Sequence, residues 1–389
     1  MLAFPADWED LLWQAVRAEV GTAATELAVL VPAIQARTRR YTDDRARLGE
    51  PMRGAAAERD LAARALFFTV ADAAKIAIPL AELEGRGLLP AGPLRVLDVG
   101  AGPGAMTLGL LAARPQEDVA ITAVDRDARA LAILRRVAAA LPGPPSLTAR
   151  VADVTAPLPP GPFDLVLAGS VTNELQAAAR APFLRALLER LADGGAVIVI
   201  EPALRETARA LHALRDELVR AGHAHVFAPC THEQPCPALT DVRDWCHEDR
   251  TFRPPPRLAS LMNRTGLRDG GLKLAYLTLR REPVPLVAPV PGRRALRVVS
   301  GALDSKGVVE RIVCGADGRR RVRILSRERS RALAALSGSR RGDVLLEDDA
   351  GEVSLPASPR SSASPGPESP DRSPPASAPR PTAPGPAPR

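Results

Sequence analysis

The chain has 389 residues, a length for two or three domains, and 46% hydrophobic residues supply a sizeable core. Aromatic residues are only 3%, which builds that core from Ala, Leu and Val and argues against base stacking as the main mode of nucleic-acid binding. The net charge of +7 and pI near 9.9 favour a polyanionic partner. No apolar run is long enough to span a bilayer, and the first residues lack the basic start of a signal peptide, so a soluble, cytoplasmic, monomeric protein without membrane association is expected.

Residues 1–90 read as a helical region. Trp8, Leu11, Leu12, Ala15, Val16 and Val20 keep helical spacing behind Asp7 as N-cap, and Pro32 is expected to end that helix. Arg37, Arg39, Arg40, Arg45 and Arg47 follow as an arginine-rich turn, read as a solvated face or, alternatively, a phosphate-facing edge. A second helical stretch, 55–83, is kinked or closed by Pro79.

Residues 91–282 alternate between short apolar runs and helical stretches. Strands are predicted at 94–99, 119–124, 147–151, 163–168 and 196–200, with helices at 105–113, 128–141, 177–191 and 203–221. With 225–227 and 273–279 as sixth and seventh strands, the pattern predicts an α/β, Rossmann-like, doubly wound sheet of seven strands. An insertion at 229–271 separates the last two. Residues 283–350 read as a small β-rich module with segments at 295–301, 308–314 and 321–326. It is basic, with fourteen Lys and Arg against five Asp and Glu between 292 and 343. The tail, 351–389, is expected to be disordered, because twelve prolines fall in its last thirty-six residues.

Asp98-Val-Gly100-Ala-Gly102-Pro-Gly104 follows the first of these strands and opens a helix. Glycines there allow close backbone approach to a ligand, and the helix N-terminus offers N–H donors. The spacing falls short of the dinucleotide fingerprint, and an acid at Asp98 suits the cationic end of S-adenosylmethionine. Asp125 and Asp153 end the next two strands, placed for the ribose hydroxyls and the adenine amine. Together these residues resemble the motifs of class I S-adenosylmethionine-dependent methyltransferases. After the fourth strand, Asn173 and Glu174 are substrate-side candidates or helix caps; no Asn-Pro-Pro-Tyr type motif is present.

Three of the four cysteines, Cys230, Cys236 and Cys246, fall within seventeen residues of the insertion, and Cys314 lies in the basic module. Four thiols are the complement of one metal site. The gaps of five and nine residues are wider than those of common zinc ribbons, whereas an iron–sulfur cluster tolerates wider loops. A nucleophilic role is disfavoured by placement after the sixth strand. His232 and His247 are alternate ligands or hydrogen-bond donors to the site.

The run 228–237 followed by Trp245-Cys246-His247 is similar to the methyltransferase-like mitochondrial small-ribosomal-subunit assembly factors and their bacterial relatives. The resemblance extends over roughly residues 1–345. It implies that Cys230, Cys236, Cys246 and Cys314 hold a [4Fe–4S] cluster, stapling the sheet domain to the basic module. It further implies rRNA of the small ribosomal subunit as partner. The expected function is S-adenosylmethionine-dependent rRNA methylation, subunit assembly, or both. The alternatives are a non-catalytic rRNA-binding assembly factor and a zinc-containing small-molecule methyltransferase.

Overall fold

The computed structural model describes residues 1–44, 50, 52–90, 92–115, 118–267, 271–328 and 330–356. Arg45 and Arg47 of the arginine-rich segment, and residues 357–389 of the expected disordered tail, lie outside the described residues.

Strand β1 (Leu2–Ala3) precedes helix α1 (Ala6–Val20), which buries Leu12, Trp13, Val16 and Val20. Gly21, at φ 80°, closes α1 by donating its N–H to the Arg17 carbonyl. Helix α2 (Leu27–Thr42) then runs through Pro32. The expected break at Pro32 is therefore corrected: the chain stops helix at Gly21, and α2 continues through Pro32, its sixth residue, at the loss of one intrahelical N–H bond to the Ala28 carbonyl. Arg37, Arg39 and Arg40 are accordingly helical. Helix α3 (Gly54–Ala63), a π-helical turn (Arg64–Thr69), α4 (Val70–Ala73), a 3₁₀ turn (Ala74–Ile76) and α5 (Ala77–Gly85) follow almost without interruption.

The large sheet opens with β2 (Leu94–Val99), then α6 (Ala105–Ala113), β3 (Val119–Asp125), α7 (Ala128–Ala140), β4 (Ser146–Val151), β5 (Phe163–Gly169), α8 (Ala177–Leu188), β6 (Leu191–Pro202) and α9 (Arg205–Arg220). Strands β4-β3-β2-β5-β6 are parallel neighbours in that order. Apart from Arg95, the residues of β2 are buried, as expected for a strand covered on both faces. The sixth and seventh expected strands form as β7 (His225–Ala228) and β9 (Gly271–Arg280). β9 is antiparallel to both β6 and β7. The order β4-β3-β2-β5-β6-β9-β7, with one reversed strand and helices on both faces, is the class I methyltransferase fold.

The insertion holds more structure than the sequence pattern showed. Strand β8 (Glu248–Arg253) pairs with the same edge of β9 that β7 uses, β1 adds to β8 in parallel, and α10 (Pro256–Thr265) follows. Both ends of the cysteine-bearing segment are thus fastened to one strand.

A second sheet, antiparallel throughout, has the order β12-β11-β10-β13-β14. Its strands are β10 (Arg293–Val298), β11 (Val308–Gly315), β12 (Gly318–Leu325), β13 (Val344–Asp348) and β14 (Val353–Ser354). Helix α11 (Arg331–Gly338), capped by the Ser330 hydroxyl, closes a small core of Val298, Val313, Leu336 and Leu345. The helix and the last two strands were not anticipated, and β14 lies beyond the expected boundary at 350. Among the described residues, no helix is long and apolar enough to cross a membrane.

Candidate functional site

Gly100, Gly102 and Gly104 take φ of 74°, 52° and 100°, the left-handed region that glycine enters without penalty. A Cβ at Gly100 would stand 2.4 Å from Val171 Cγ2, and one at Gly104 would stand 2.4 Å from Leu134 Cδ1. These two glycines serve close packing. At Gly102 the nearest atom to such a Cβ is Asp125 Oδ2 at 4.0 Å, so space remains beside the loop.

Asp98 is fully buried at the end of β2. Its Oδ2 accepts from the Thr107 backbone N–H (3.1 Å) and hydroxyl (2.7 Å), and Oδ1 has no hydrogen-bond partner among the described residues. Burial pushes this carboxyl up to about 7, against the pull of the Thr107 hydrogen bonds. Asp125 fastens the glycine loop, taking the Gly102 N–H on Oδ2 (2.8 Å) and the Asp127 N–H on Oδ1 (2.8 Å). Asp153 is exposed; its Oδ1 accepts from the Thr155 hydroxyl and N–H, which hold it below the usual carboxylate range. The structure therefore gathers Asp98, Asp125 and the glycines around one loop and leaves Asp153 at its outer rim.

Asn173 and Glu174 stand after β5 in different surroundings. Glu201, at the end of β6 and 1% exposed, accepts from the Thr172 hydroxyl (2.6 Å) and from the Asn173 side-chain amide (2.6 Å). Glu174 lies between Arg37 of α2 and Arg126, each 3.9 Å away, and burial raises its carboxyl against those two charges. Arg37, buried, also pairs with Asp60 (3.5 Å) and donates to the Tyr41 hydroxyl (3.0 Å). Arg64 joins Asp60 to Asp127. Arg37 is therefore neither a solvated face nor a phosphate-facing edge; it ties the N-terminal helices to the loops after β3 and β5.

Sequence reasoning missed Glu201, Asp60, Arg64 and Asp127. Glu201 could have been found as the acid that ends an apolar strand; the others carry no local signal. Two clefts open in the molecule, the first beside Asn173. One, of about 290 Å³, is lined by Thr172, Asn173, Arg180, Glu206, Thr207 and Leu211 among others. The other, of about 590 Å³, lies between the first residues, Gly109 and Pro254. Neither is lined by the glycine loop, Asp125 or Asp153.

The four cysteines come together from the two modules. Burial pushes the thiols of Cys230 and Cys236 up to about 12 and that of Cys314 to about 11, and it raises Cys246 against the pull of Arg319. Mutual repulsion adds to this, for Cys230 from Cys246 and Cys314, and for Cys236 from Cys230 and Cys246. His232 Nε2 lies 3.7 Å from Cys314 Sγ, and the His247 ring stacks on Trp245 at 5.6 Å. Among the described residues, no group of three or more His, Cys, Asp or Glu side chains has an arrangement that could hold a metal ion as it stands.

Two solvent-hidden features nevertheless suit the implied groups. The unpartnered Asp98 Oδ1 and the open space at Gly102 fit a ligand with a cationic end. Beside the thiols, Arg215 Nε, Arg319 Nε and His232 Nδ1 are buried N–H or ring nitrogen positions without hydrogen-bond partners, which fits acceptor sulfur atoms.

Among solved structures, the plantazolicin methyltransferase BamL is 12% identical, covering 66% of this chain and 100% of that one, at a TM-score of 0.39. Magnesium protoporphyrin IX methyltransferase from Synechocystis PCC 6803 is 14% identical over 64% of this chain and 97% of its own, at 0.34. A methyltransferase from Leishmania major is 16% identical over 55% and 72%, at 0.30. None of the curated proteins matches the sequence. The family described as "Mitochondrial small ribosomal subunit Rsm22" matches residues 89–345, from the linker before β2 to β13, and the chain belongs to that family.

Proposed function

We propose that this protein binds S-adenosylmethionine and a [4Fe–4S] cluster and acts in the cytoplasm on rRNA of the small ribosomal subunit, in methylation, in assembly, or in both. The observation that carries the reading is the extent of the family match. Residues 89–345 include every candidate residue, from Asp98 of the glycine loop to Cys314 of the basic module. The family's description is mitochondrial; the cytoplasmic location follows the expectation from the sequence.

In this reading Asp98 faces the cationic end of the donor through its free Oδ1, and Asp125 holds the glycine loop in shape while remaining open to further hydrogen bonds. Asp153, at the rim, is assigned to the adenine. When bound, S-adenosylmethionine supplies the transferable methyl group. The chain's own contribution is positioning: Glu201 fixes Thr172 and Asn173, and the Arg37 network closes the N-terminal helices over the loops. Cys230, Cys236, Cys246 and Cys314 would hold the cluster, which supplies covalent ties between the modules.

One observation favours the non-catalytic reading. The side-chain amide of Asn173, a substrate-side candidate, donates to the buried Glu201 (2.6 Å) and so is committed to holding the fold rather than to an acceptor. Labelled methyl transfer from S-adenosylmethionine to immature small subunits decides between them. Transfer abolished by Asp125→Ala establishes the enzyme; subunit crosslinking without transfer establishes the factor. Absence of both overturns the proposal. Metal analysis of anaerobically purified protein tests the cluster: stoichiometric zinc, without iron or sulfide, would replace it by a zinc site.

A further inference from the structure

Three arginines enclose the cysteine segment from two sides. Arg209 of α9 donates to the carbonyls of Ala238 (2.8 Å), Leu239 (3.2 Å), Asp241 (2.7 Å) and Asp244 (2.7 Å), fixing the stretch between Cys236 and Cys246. Two turns further along, Arg215 is wholly buried. It donates to Asp216 (2.6 Å) and to the carbonyls of Gln234 (2.6 Å) and His232, while Asp216 accepts the Cys236 N–H (2.8 Å). Arg319 arrives from β12 of the second sheet. It pairs with Asp244, and its charge pulls down the thiols of Cys246 and Cys314 against the effect of burial.

The two halves of the thiol set therefore each have their own guanidinium. Arg215 acts electrostatically on Cys230 and Cys236, and Arg319 on Cys246 and Cys314. Both terminal nitrogens of Arg215 and Nη1 of Arg319 are engaged, yet Nε of each is buried and has no partner among the described residues. A buried Nε without a hydrogen-bond partner also occurs at Arg37, Arg64, Arg190, Arg280 and Arg297, so what distinguishes Arg215 and Arg319 is their placement on either side of the thiols, where an acceptor for a charged donor would stand. Four thiolates outnumber the positive charges of either a zinc ion or an iron–sulfur core, so the filled site is an anion. Sulfur atoms of that anion are the missing acceptors, and the two guanidiniums compensate its charge. Hydrogen bonds to sulfur and local charge are levers by which a protein sets the stability and potential of such a site.

We propose that Arg215 and Arg319 are positioning residues of the four-thiol site, each donating its Nε–H to a sulfur atom of the bound group and together balancing its charge. This rests on the reading that the four cysteines hold a cluster. The test uses the full-length chain purified without oxygen. Iron, acid-labile sulfide and visible absorbance of the unaltered protein come first; if all are absent, the cluster reading fails before the arginines are examined, and the inference fails with it.

With the cluster present, Arg319→Gln and Arg319→Lys are compared, with folding checked by circular dichroism. Arg319 sits on a strand of the second sheet with its side chain partly exposed, so its replacement is tolerated more readily than that of Arg215. Arg319→Gln is expected to lose cluster to a chelator roughly 10–100-fold faster, and its reduction potential to fall. Arg319→Lys, which restores charge without the Nε–H, is expected to recover potential more than lifetime. Arg215→Lys is expected to behave likewise if it folds. A folded Arg319→Gln protein with unaltered potential and unaltered cluster lifetime overturns the proposal.

Discussion

Asp98 sits where no water reaches it, and its acidity follows from that. Its ordinary value is 3.8 and its folded value about 7. Below about pH 4 both states hold the proton and its contribution to stability is complete. As pH rises toward 7, the unfolded chain ionises and the folded one resists, so that contribution is lost at about 1.4 kcal/mol per unit of displacement. Urea midpoints taken from about pH 4 to 7 are therefore expected to fall for the unaltered protein relative to Asp98→Asn; parallel profiles would contradict this assignment. Arg297 is the second decisive residue. It reaches from β10 into the large domain, to Glu82 (2.7 Å), Glu248 (3.3 Å) and the Tyr276 hydroxyl (2.9 Å). Replacing it by Met removes the charge shared by Glu82 and Glu248, leaving Glu248 with Arg250 alone and Glu82 with only the Tyr276 hydroxyl, and a loss of about 3 kcal/mol in unfolding free energy is expected by urea denaturation. The acids of the glycine loop were legible because each ends an apolar strand. Arg297, Glu82 and Glu248 were not, because their partnership joins residues far apart in sequence, where no periodicity can register it.

The same division holds for elements. Parallel strands buried on both faces announce themselves as apolar runs, so β2, β3, β5 and β6 were visible. The helical N-terminal region was visible too, yet its break was misplaced, since proline was given more weight than the left-handed glycine that ends α1. Strand β8 escaped because its composition is charged and it pairs only at an edge. Two glycines allow the elements to be tested. Gly109 on α6 touches the Ala73 carbonyl, where a Cβ would come to 2.0 Å. Gly109→Ala is expected to destabilise the protein by about 1–3 kcal/mol through overpacking against backbone. Gly102→Ala meets open space instead. It should cost only the strain of its φ, about 1–2 kcal/mol, while weakening S-adenosylmethionine binding in calorimetry by more than that. Equal losses of binding and stability would remove Gly102 from the pocket.

For the whole molecule, charge counted from the sequence overstates what is available to a partner. Of the fourteen Lys and Arg between 292 and 343, Arg293, Arg294, Arg297, Arg311, Arg319, Arg320 and Arg321 stand in ion pairs with carboxylates. If all fourteen met phosphates, the affinity for an rRNA fragment would fall with salt at a logarithmic slope of roughly 10; with half already paired, about 5 or less is expected from filter binding across a salt series. A slope near the larger figure would mean that these pairs open on contact with RNA. The sequence showed the basic module but not this pairing, because its carboxylates come from both modules.

β7 and β8 leave and rejoin the same edge of β9, their nearest paired residues there being Thr278 and Leu274. The segment carrying Cys230, Cys236 and Cys246 is therefore a closed loop on a short base, with its closure entropy already met by the sheet. Those three thiols cannot disperse while the sheet is folded. They stay at high effective concentration relative to one another, and completing the four-thiol set is an intramolecular step in which only Cys314, on its separate sheet, has to find its place.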